Sequence, residues 1–329
     1  MKQKLTVSLQ ITVSNNCLAA FLHPKTMSAV HTTLDELIRL RGHSRGLVLG
    51  ARHRSLSAQS GGYLSVYRGR GLEFDEVRAY QPGDDIRTID WRVTARRGRT
   101  HTKLFREERE RPVLLLADFH PGMYFGSRQQ FKSVLASRAA ALIAWSAARA
   151  GDRVGGVVSG VEGHHIIPPR SRQRGVLALL KILEQQQPTE PGELVGGRLD
   201  QALTQLRRVA HPGSLVVLLS DFAELGEEGE RHLAALSRHC DVLLGFIHDP
   251  LELLPPQAGR YRMGTPLHQV ELNTASSSVV DGWRAGFELR HQGLLRLSRH
   301  YGMPLMELST AEDTLEALRR GLAKHGRSL

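Results

Sequence analysis

Two aspartates that follow short apolar runs are the residues of this sequence best suited to chemistry. Asp118 ends the run 113–117, and Asp221 comes just after the run 215–219. Continuous apolar runs of this length are typical of strands buried on both faces of a parallel sheet. Aspartate there is also a common cap for the following helix. Because ligands of such sheets bind beyond the carboxyl ends of the strands, the pair predicts one shared site.

The elements that position these aspartates alternate along the second part of the chain. Apolar strand-like runs are separated by helical segments at 128–150, 176–183, 199–206, 229–238, 282–300 and 312–324. This alternation predicts an α/β fold with a doubly wound, mostly parallel sheet and helices on both faces.

The first part of the chain has a different pattern. Short extended runs at 72–80, 86–94 and 100–107 predict a small β-rich subdomain, and Thr33 with Glu36 predicts a capped helix over 33–41. The predicted division is a poorly ordered extension at 1–32, the helix with the β-rich subdomain at 33–111, and the α/β domain at 112–329. An upstream start before Met27 is an alternative interpretation of the extension.

Composition limits the classes of function. The formal net charge of +11 favours acidic partners, which include nucleic acid, an anionic membrane face and acidic protein surfaces. Cys17 and Cys240 stand far apart without neighbouring ligands, which argues against structural zinc and a disulfide framework and favours a reducing compartment. No apolar run approaches eighteen residues, so we expect no membrane span and a cytoplasmic location. Without a phosphate-loop motif, nucleotide hydrolysis is expected to belong to a partner.

Several stretches of the sequence resemble a bacterial family and a known metal-binding motif. The stretch 73–91, with Asp84, Asp85, Asp90 and Trp91, resembles the family catalogued as domain of unknown function 58, and the resemblance covers residues 35–310, including 248–252. Segments 118–126, 196–203 and 220–221 resemble the metal-ion-dependent adhesion motif of von Willebrand A domains. The resemblance implies a von Willebrand A-like domain and, as partner, a MoxR-type AAA+ ATPase.

The adhesion motif departs from its pattern at three positions. His120 and Gly122 stand where the resemblance places serines, and Arg198 stands where it places threonine. Because Mg²⁺ requires oxygen ligands, we predict a degenerate site without a bound cofactor. Its remaining candidate ligands are Asp118, His120 and Asp221. We expect the planar fork of Arg198 to bridge the two aspartates in place of the ion. Weak Mg²⁺ binding and a transition metal held through His120 remain open alternatives.

The signature stretch invites a second interpretation. Its aspartates, Asp84, Asp85 and Asp90, could do acid–base chemistry, but arginines lie close by in the sequence. We therefore expect ion pairs across turns and adjacent strands. Trp91 is expected to pack the subdomain against the α/β core.

These observations together predict a non-enzymatic protein-binding or adaptor protein. The predicted partner-binding residues are Asp118, His120, Gly122, Met123, Arg198 and Asp221, with Met123 on an exposed loop apex. A nucleic-acid-binding protein that uses the basic strips at 41–54 and 92–103 is the first alternative. A metal-dependent hydrolase that uses Asp118 and Asp221 is the second.

Overall fold

The computed structural model describes residues 28–49, 72–81, 86–107, 110–160, 162–190, 196–264 and 269–326. Contacts divide them into a larger unit, 28–49 with 111–326, and a smaller unit within 72–110. The described helices are α1 (Leu34–Arg39), α2 (Trp91–Arg97), α3 (Lys132–Arg149), α4 (Gln173–Gln186), α5 (Arg198–Val209), α6 (Glu227–Ser237), α7 (Pro250–Leu253), α8 (Ser277–Tyr301) and α9 (Thr314–Gly326). The described strands are β1 (Leu72–Ala79), β2 (His101–Glu107), β3 (Pro112–Asp118), β4 (Arg153–Gly160), β5 (Gly163–Ser171), β6 (Leu215–Ser220), β7 (Asp241–His248), β8 (Arg260–Gly264), β9 (Gln269–Asn273) and β10 (Leu305–Ser309).

A six-stranded sheet forms the centre of the larger unit, in the order β10-β7-β6-β3-β4-β5. The strands are parallel except β5, which pairs antiparallel with β4 at the edge. The predicted α/β class with a mostly parallel sheet is confirmed. The strand order reverses between β3 and β6, and the carboxyl ends of the strands leave a crevice at such a switch point.

Helices cover both faces of this sheet. Alternate residues of β3 point to opposite faces, so Leu115 joins one apolar cluster and Leu114 joins another. The first cluster includes buried side chains of α1, α3, α4 and α9, and the second includes those of α5, α6 and α8. Burial on both faces explains why the strands read as continuous apolar runs.

A glycine allows β3 and β4 to approach closely. Gly156 has a φ of +155°, and a Cβ there would lie 1.9 Å from the carbonyl oxygen of Leu115. Only glycine fits this position without displacing the central strand. The close pairing of β4 with β3, the strand that carries Asp118, therefore depends on a residue without a side chain.

The helix α1 corrects the predicted domain boundary. Leu37 is fully buried in the core of the larger unit, and its carbonyl accepts a hydrogen bond from Trp145 Nε1. Residues 28–32 are also ordered, since Thr32 is buried and bonded to Gln187. The predicted grouping of this helix with the β-rich subdomain is therefore wrong, as is the predicted disorder of 28–32. Residues 1–27 lie outside the described part.

The smaller unit contains a hairpin-like pair of strands and a short helix. β1 pairs antiparallel with β2, with a register shift between Phe74 and Glu76. Residues 86–94, predicted as extended, instead form a 3-10 turn at Ile86–Thr88 and enter α2. Asp90 causes this change, because its carboxylate accepts hydrogen bonds from the amides of Arg92 and Val93 and so caps α2.

The loop region after β7 contains structure that the sequence did not predict. β8 and β9 form an antiparallel pair there. None of the helices within the described ranges has the length and apolar character needed to cross a membrane.

Candidate functional site

The two aspartates lie side by side at the switch point of the sheet. Asp118 is the last residue of β3, and Asp221 directly follows β6, the neighbouring strand. Ser220 joins them, because its hydroxyl donates a 2.7 Å hydrogen bond to Asp118 Oδ2. Asp118 is 1% exposed and Asp221 2% exposed. Both carboxylates are therefore held inside the protein.

Asp221 is saturated by donors from this chain. His120 Nε2 lies 2.9 Å from Oδ1, and Lys132 Nζ lies 2.6 Å from Oδ2. The amide of Ala223 also donates to Oδ1. His120 and Lys132 are as deeply buried as the aspartate itself. Asp118, His120, Lys132 and Asp221, together with Glu252, form a set that we call the edge cluster.

Lys132 is the cation of the edge cluster, and sequence reasoning missed it. It is the first residue of α3, where the helix dipole disfavours a positive charge. Its ammonium is compensated by Asp221 and by Glu252, whose Oε1 lies 3.1 Å from Nζ. A lysine in the first turn of an Ala-rich helix that follows a buried strand was the available signal.

Glu252 reaches Lys132 because Asp249 anchors the helix that carries it. Asp249 is fully buried and forms a capping box with Glu252 on α7. Its carboxylate also accepts hydrogen bonds from the amide and hydroxyl of Ser127 and from the hydroxyl of Thr310. One side chain thus ties together the loops that follow β3, β7 and β10.

The long helix α8 also touches Glu252. Arg290 lies 3.7 Å from Glu252 Oε1, and Trp283 Nε1 donates to the backbone carbonyls of Leu251 and Glu252. Two carboxylates, Asp221 and Glu252, are therefore balanced by Lys132 and Arg290. The charge of this part of the site is neutralised within the chain.

The carboxylates and a backbone amide act in opposite directions on the charge of His120. Burial opposes a charge on the ring, but Asp221 and Asp118 outweigh burial and raise the pKa of His120 to about 9. The amide of Gly122, however, donates to Nδ1 at 3.1 Å and requires a lone pair there. Because that amide belongs to a 3-10 turn, it cannot rotate away independently. The Gly122 bond therefore favours the neutral ring, with the hydrogen on Nε2 donated to Asp221, whereas the two aspartates favour the charged ring.

The two aspartates differ in charge preference. Burial raises the pKa of Asp221, but His120 and Lys132 outweigh burial and hold it well below 3.8. Burial raises the pKa of Asp118 above 3.8, and the Coulomb attraction of His120 and the Ser220 hydrogen bond only partly offset it. One carboxylate is thus firmly ionised and its neighbour is easier to protonate.

Oxygens without partners surround Asp118. Within the described part of the chain, Asp118 Oδ1 and Ser159 Oγ are buried without a hydrogen-bond partner, and so is Oε1 of Glu224 in the loop after β6. Burial, together with the carboxylates of Asp118 and Asp221, raises the pKa of Glu224 to about 6. Buried polar atoms in this state mark a functional or water-filled place in a protein.

The backbone beside Asp221 is strained. Phe222 has a φ of +53°, in the left-handed region that bulky residues avoid. Such a residue costs about 1–3 kcal/mol and is maintained only where the surroundings determine it. Phe222 is buried in the core, and its amide is bonded to Ser220 Oγ. These two contacts hold Phe222 in this conformation directly after Asp221.

These residues do not fit a Mg²⁺ ion. Asp221 already accepts from His120, Lys132 and Ala223, which leaves Asp118 Oδ1 as the free carboxylate oxygen of the pair. A divalent ion beside the Lys132 ammonium would meet strong repulsion in a buried site. No cluster of three or more His, Cys, Asp and Glu that could hold a metal occurs among the described residues.

The residue types at positions 120 and 122 depend on each other. A Cβ at Gly122 would lie 2.6 Å from His120 Cε1, so a serine cannot stand at 122 while the ring occupies its present place. A side chain at 122 therefore requires the His120 ring to move.

We expect Mg²⁺ to leave the stability of the protein unchanged. A site with a dissociation constant of about 50 μM would stabilise the fold by about 2.7 kcal/mol at about 5 mM Mg²⁺. Thermal unfolding in about 5 mM MgCl₂, MnCl₂ or EDTA should give the same Tm, because Lys132 already neutralises Asp221. A rise in Tm that the Asp118→Ala variant abolishes would contradict this expectation.

The predicted arginine bridge does not form. Arg198 is partly exposed and donates through Nη2 to the carbonyl oxygen of Gly160. Asp221 takes its cation from α3 instead of α5. Arg198 still lies close enough to favour the ionised form of Asp118. The cation beside Asp221 is therefore Lys132 and not Arg198.

The predicted partner-binding residues are mostly inaccessible in this conformation. Asp118, His120, Gly122, Met123 and Asp221 are all buried, and only Arg198 reaches the surface in part. The expected exposed apex at Met123 is wrong, because Met123 is fully buried and Phe125 is 5% exposed. Apolar side chains of this loop pack inward over the end of the sheet.

The family signature is only partly visible. Asp84 and Asp85 lie outside the described residues, and Asp90 caps α2. Trp91 is 66% exposed, so the expectation of a packed tryptophan is wrong. Its position as the first residue of a helix capped by Asp90 directs it to the surface.

The chain is thus an α/β protein with an internally neutralised cluster at the carboxyl edge of its parallel strands. The family model described as "Protein of unknown function DUF58" matches residues 76–290, and the chain belongs to that family. The resemblance predicted from the signature stretch is confirmed.

Known relatives and solved structures give the following matches. The chain is 28% identical over 319 residues to uncharacterized protein Rv1480 of Mycobacterium tuberculosis and, equally, to Mb1516 of Mycobacterium bovis; each match covers 94% of this chain and 96% of the relative. The conserved hypothetical protein BatB from Bacteroides thetaiotaomicron aligns with a TM-score of 0.39 at 13% identity, over 66% of this chain and 99% of that one. An aerotolerance-related membrane protein from Bacteroides fragilis aligns at 0.38 and 12%, over 65% and 99%.

Proposed function

We propose that this protein is a non-enzymatic binding or adaptor protein with a von Willebrand A-like domain. Its adhesion site has exchanged the metal ion for a side-chain cation. The observation that carries the proposal is the buried contact of Lys132 Nζ with Asp221 Oδ2 at 2.6 Å. The strand order and the antiparallel edge strand β5 support the von Willebrand A-like interpretation.

The burial of the edge cluster supports a binding role over catalysis. A general acid or base must come within hydrogen-bond reach of its substrate. Asp118, His120 and Asp221 are 1–2% exposed, and Asp221 is occupied by donors of the chain itself. The cluster is therefore suited to fixing the loops at the sheet edge, which are the parts that another macromolecule would meet.

The partner that we propose is a MoxR-type AAA+ ATPase of the same cell, in the cytoplasm. This choice rests on the family resemblance, and the confirmed family membership supports it. The net charge of +11 favours a partner with an acidic face. In this arrangement the ATPase supplies nucleotide hydrolysis, and this chain links it to a client protein.

Affinity capture with purified components tests the proposal. The full-length tagged protein is mixed with the MoxR-type ATPase in its ATP-bound form, stabilised by a hydrolysis-deficient substitution in the ATPase. We expect a complex that survives size-exclusion chromatography and is absent with an unrelated AAA+ ATPase. Failure to form it under ATP-bound conditions would overturn the proposed partnership.

A further inference from the structure

A basic surface that includes an exposed tryptophan lies on the smaller unit, away from the edge cluster in sequence. Residues 91–106 contain six Arg and Lys residues and no Asp or Glu. The members that we use are Trp91, Arg92, Arg96, Arg97 and Arg99, all exposed, and we call them the α2 surface. On most proteins, exposed charges of both signs are interspersed. A segment of one sign is a candidate for binding an opposite charge.

Among the residues that the structure describes, Arg92, Arg96, Arg97 and Arg99 of the α2 surface form no side-chain ion pair. The neighbouring carboxylate of Asp90 is directed at the amides of Arg92 and Val93. Their guanidinium groups therefore remain available to carboxylates of another molecule.

Apolar side chains accompany these charges. Trp91 is 66% exposed and Ile86, five residues earlier, is 65% exposed. Large apolar side chains in water are a cost that association removes. Tryptophan and arginine are also the residues most enriched among those that carry the binding energy of protein interfaces. This short segment therefore combines exposed apolar and positively charged side chains.

We infer that the α2 surface docks an acidic segment of a partner protein, with an apolar side chain of the partner packed on Trp91. The α2 surface would be the part of the protein that performs the proposed binding function. The identity of the partner as the ATPase rests on that proposed function. Ile86 is aliphatic, whereas the platforms on which nucleic-acid bases stack are aromatic, so the side chains of this surface favour a protein partner.

Two variants of the full-length protein separate the contributions. Trp91→Ala removes the exposed aromatic side chain, and the double variant Arg96→Glu/Arg97→Glu reverses the charge of two arginines of the α2 surface. All three positions are exposed, so far-UV circular dichroism and Tm should stay the same. The matched control is Arg174→Glu/Arg238→Glu, which makes the same charge change at exposed positions of the larger unit.

The binding measurements use three probes: the purified ATPase, fluorescein-labelled poly-L-glutamate and a thirty-nucleotide oligothymidylate. We expect each α2 variant to weaken binding of the ATPase and of polyglutamate by about tenfold or more, and the control to leave both unchanged. Polyglutamate should also shift the tryptophan emission of the wild-type protein but not of Trp91→Phe.

The outcomes separate the two proposals. If the ATPase does not bind but polyglutamate binding depends on Trp91 and Arg96, the partnership fails and the α2 surface stands. If the ATPase binds and neither variant weakens it, the partnership stands and the α2 surface is refuted. Tighter binding of oligothymidylate that the same variants abolish, with a steep salt dependence, would make this a nucleic-acid surface and overturn the inference.

Discussion

Lys132→Met is expected to lower the free energy of unfolding by about 3–5 kcal/mol at neutral pH. Methionine retains most of the length of the side chain but removes the charge that Asp221 and Glu252 share. Both carboxylates are then left partly or wholly uncompensated inside the protein, and a lone buried charge costs far more than a surface one. Urea unfolding monitored by circular dichroism gives the difference directly.

A matched control distinguishes the buried ion pair from a general effect of losing a lysine. Lys181 is exposed on α4, and Lys181→Met should change the unfolding free energy by less than about 0.5 kcal/mol. The double variant Lys132→Met/Asp221→Asn should recover part of the loss, because it removes a charge together with its partner. A Lys132→Met protein as stable as the wild type would show that Lys132 does not neutralise the cluster.

The same variant should respond differently to acid. The pKa of Asp221 is held well below 3.8 in the folded protein, so the stabilisation is present above 3.8 and is lost as the pH falls through the lower, folded value. The difference in unfolding free energy between wild type and Lys132→Met should therefore shrink in strongly acidic solution.

Asp249→Ala is expected to cost at least about 3 kcal/mol, because it leaves several buried donors without an acceptor. These donors are the amide and hydroxyl of Ser127, the hydroxyl of Thr310 and the amide of Leu251. Chemical denaturation measures the loss, and amide hydrogen exchange should show faster exchange at Ser127 and Leu251.

An aspartate that caps a helix at the surface provides the comparison. Asp313 is exposed and accepts one hydrogen bond, from the amide of Glu316, so Asp313→Ala should cost only about 1 kcal/mol. Equal losses in the two variants would show that Asp249 acts as an ordinary helix cap. Because Asp249 positions Glu252 beside Lys132, Asp249→Ala and Lys132→Met should also be less than additive in combination.

The local sequence pattern was sufficient to predict the strands of the central sheet and insufficient to predict β8, β9 and the helix of the smaller unit. Strands β3 and β6 were predictable because burial on both faces demands an uninterrupted apolar run. Helix α2 was not, since the segment 86–94 reads as extended until the Asp90 carboxylate caps the next residues. The place of α1 could not be predicted either, because contacts such as Trp145 with Leu37 join residues 108 positions apart.

For the candidate site, the sequence by itself determined that an aspartate stands at the end of each of two buried strands. Only the tertiary structure decided which cation meets them. Lys132 is 89 residues from Asp221 in the chain, and its ammonium reaches the carboxylate because α3 begins beside the carboxyl end of β6. Charge balance inside a protein depends on distance in space and on the exclusion of water, and neither is written in the spacing of residues along the chain.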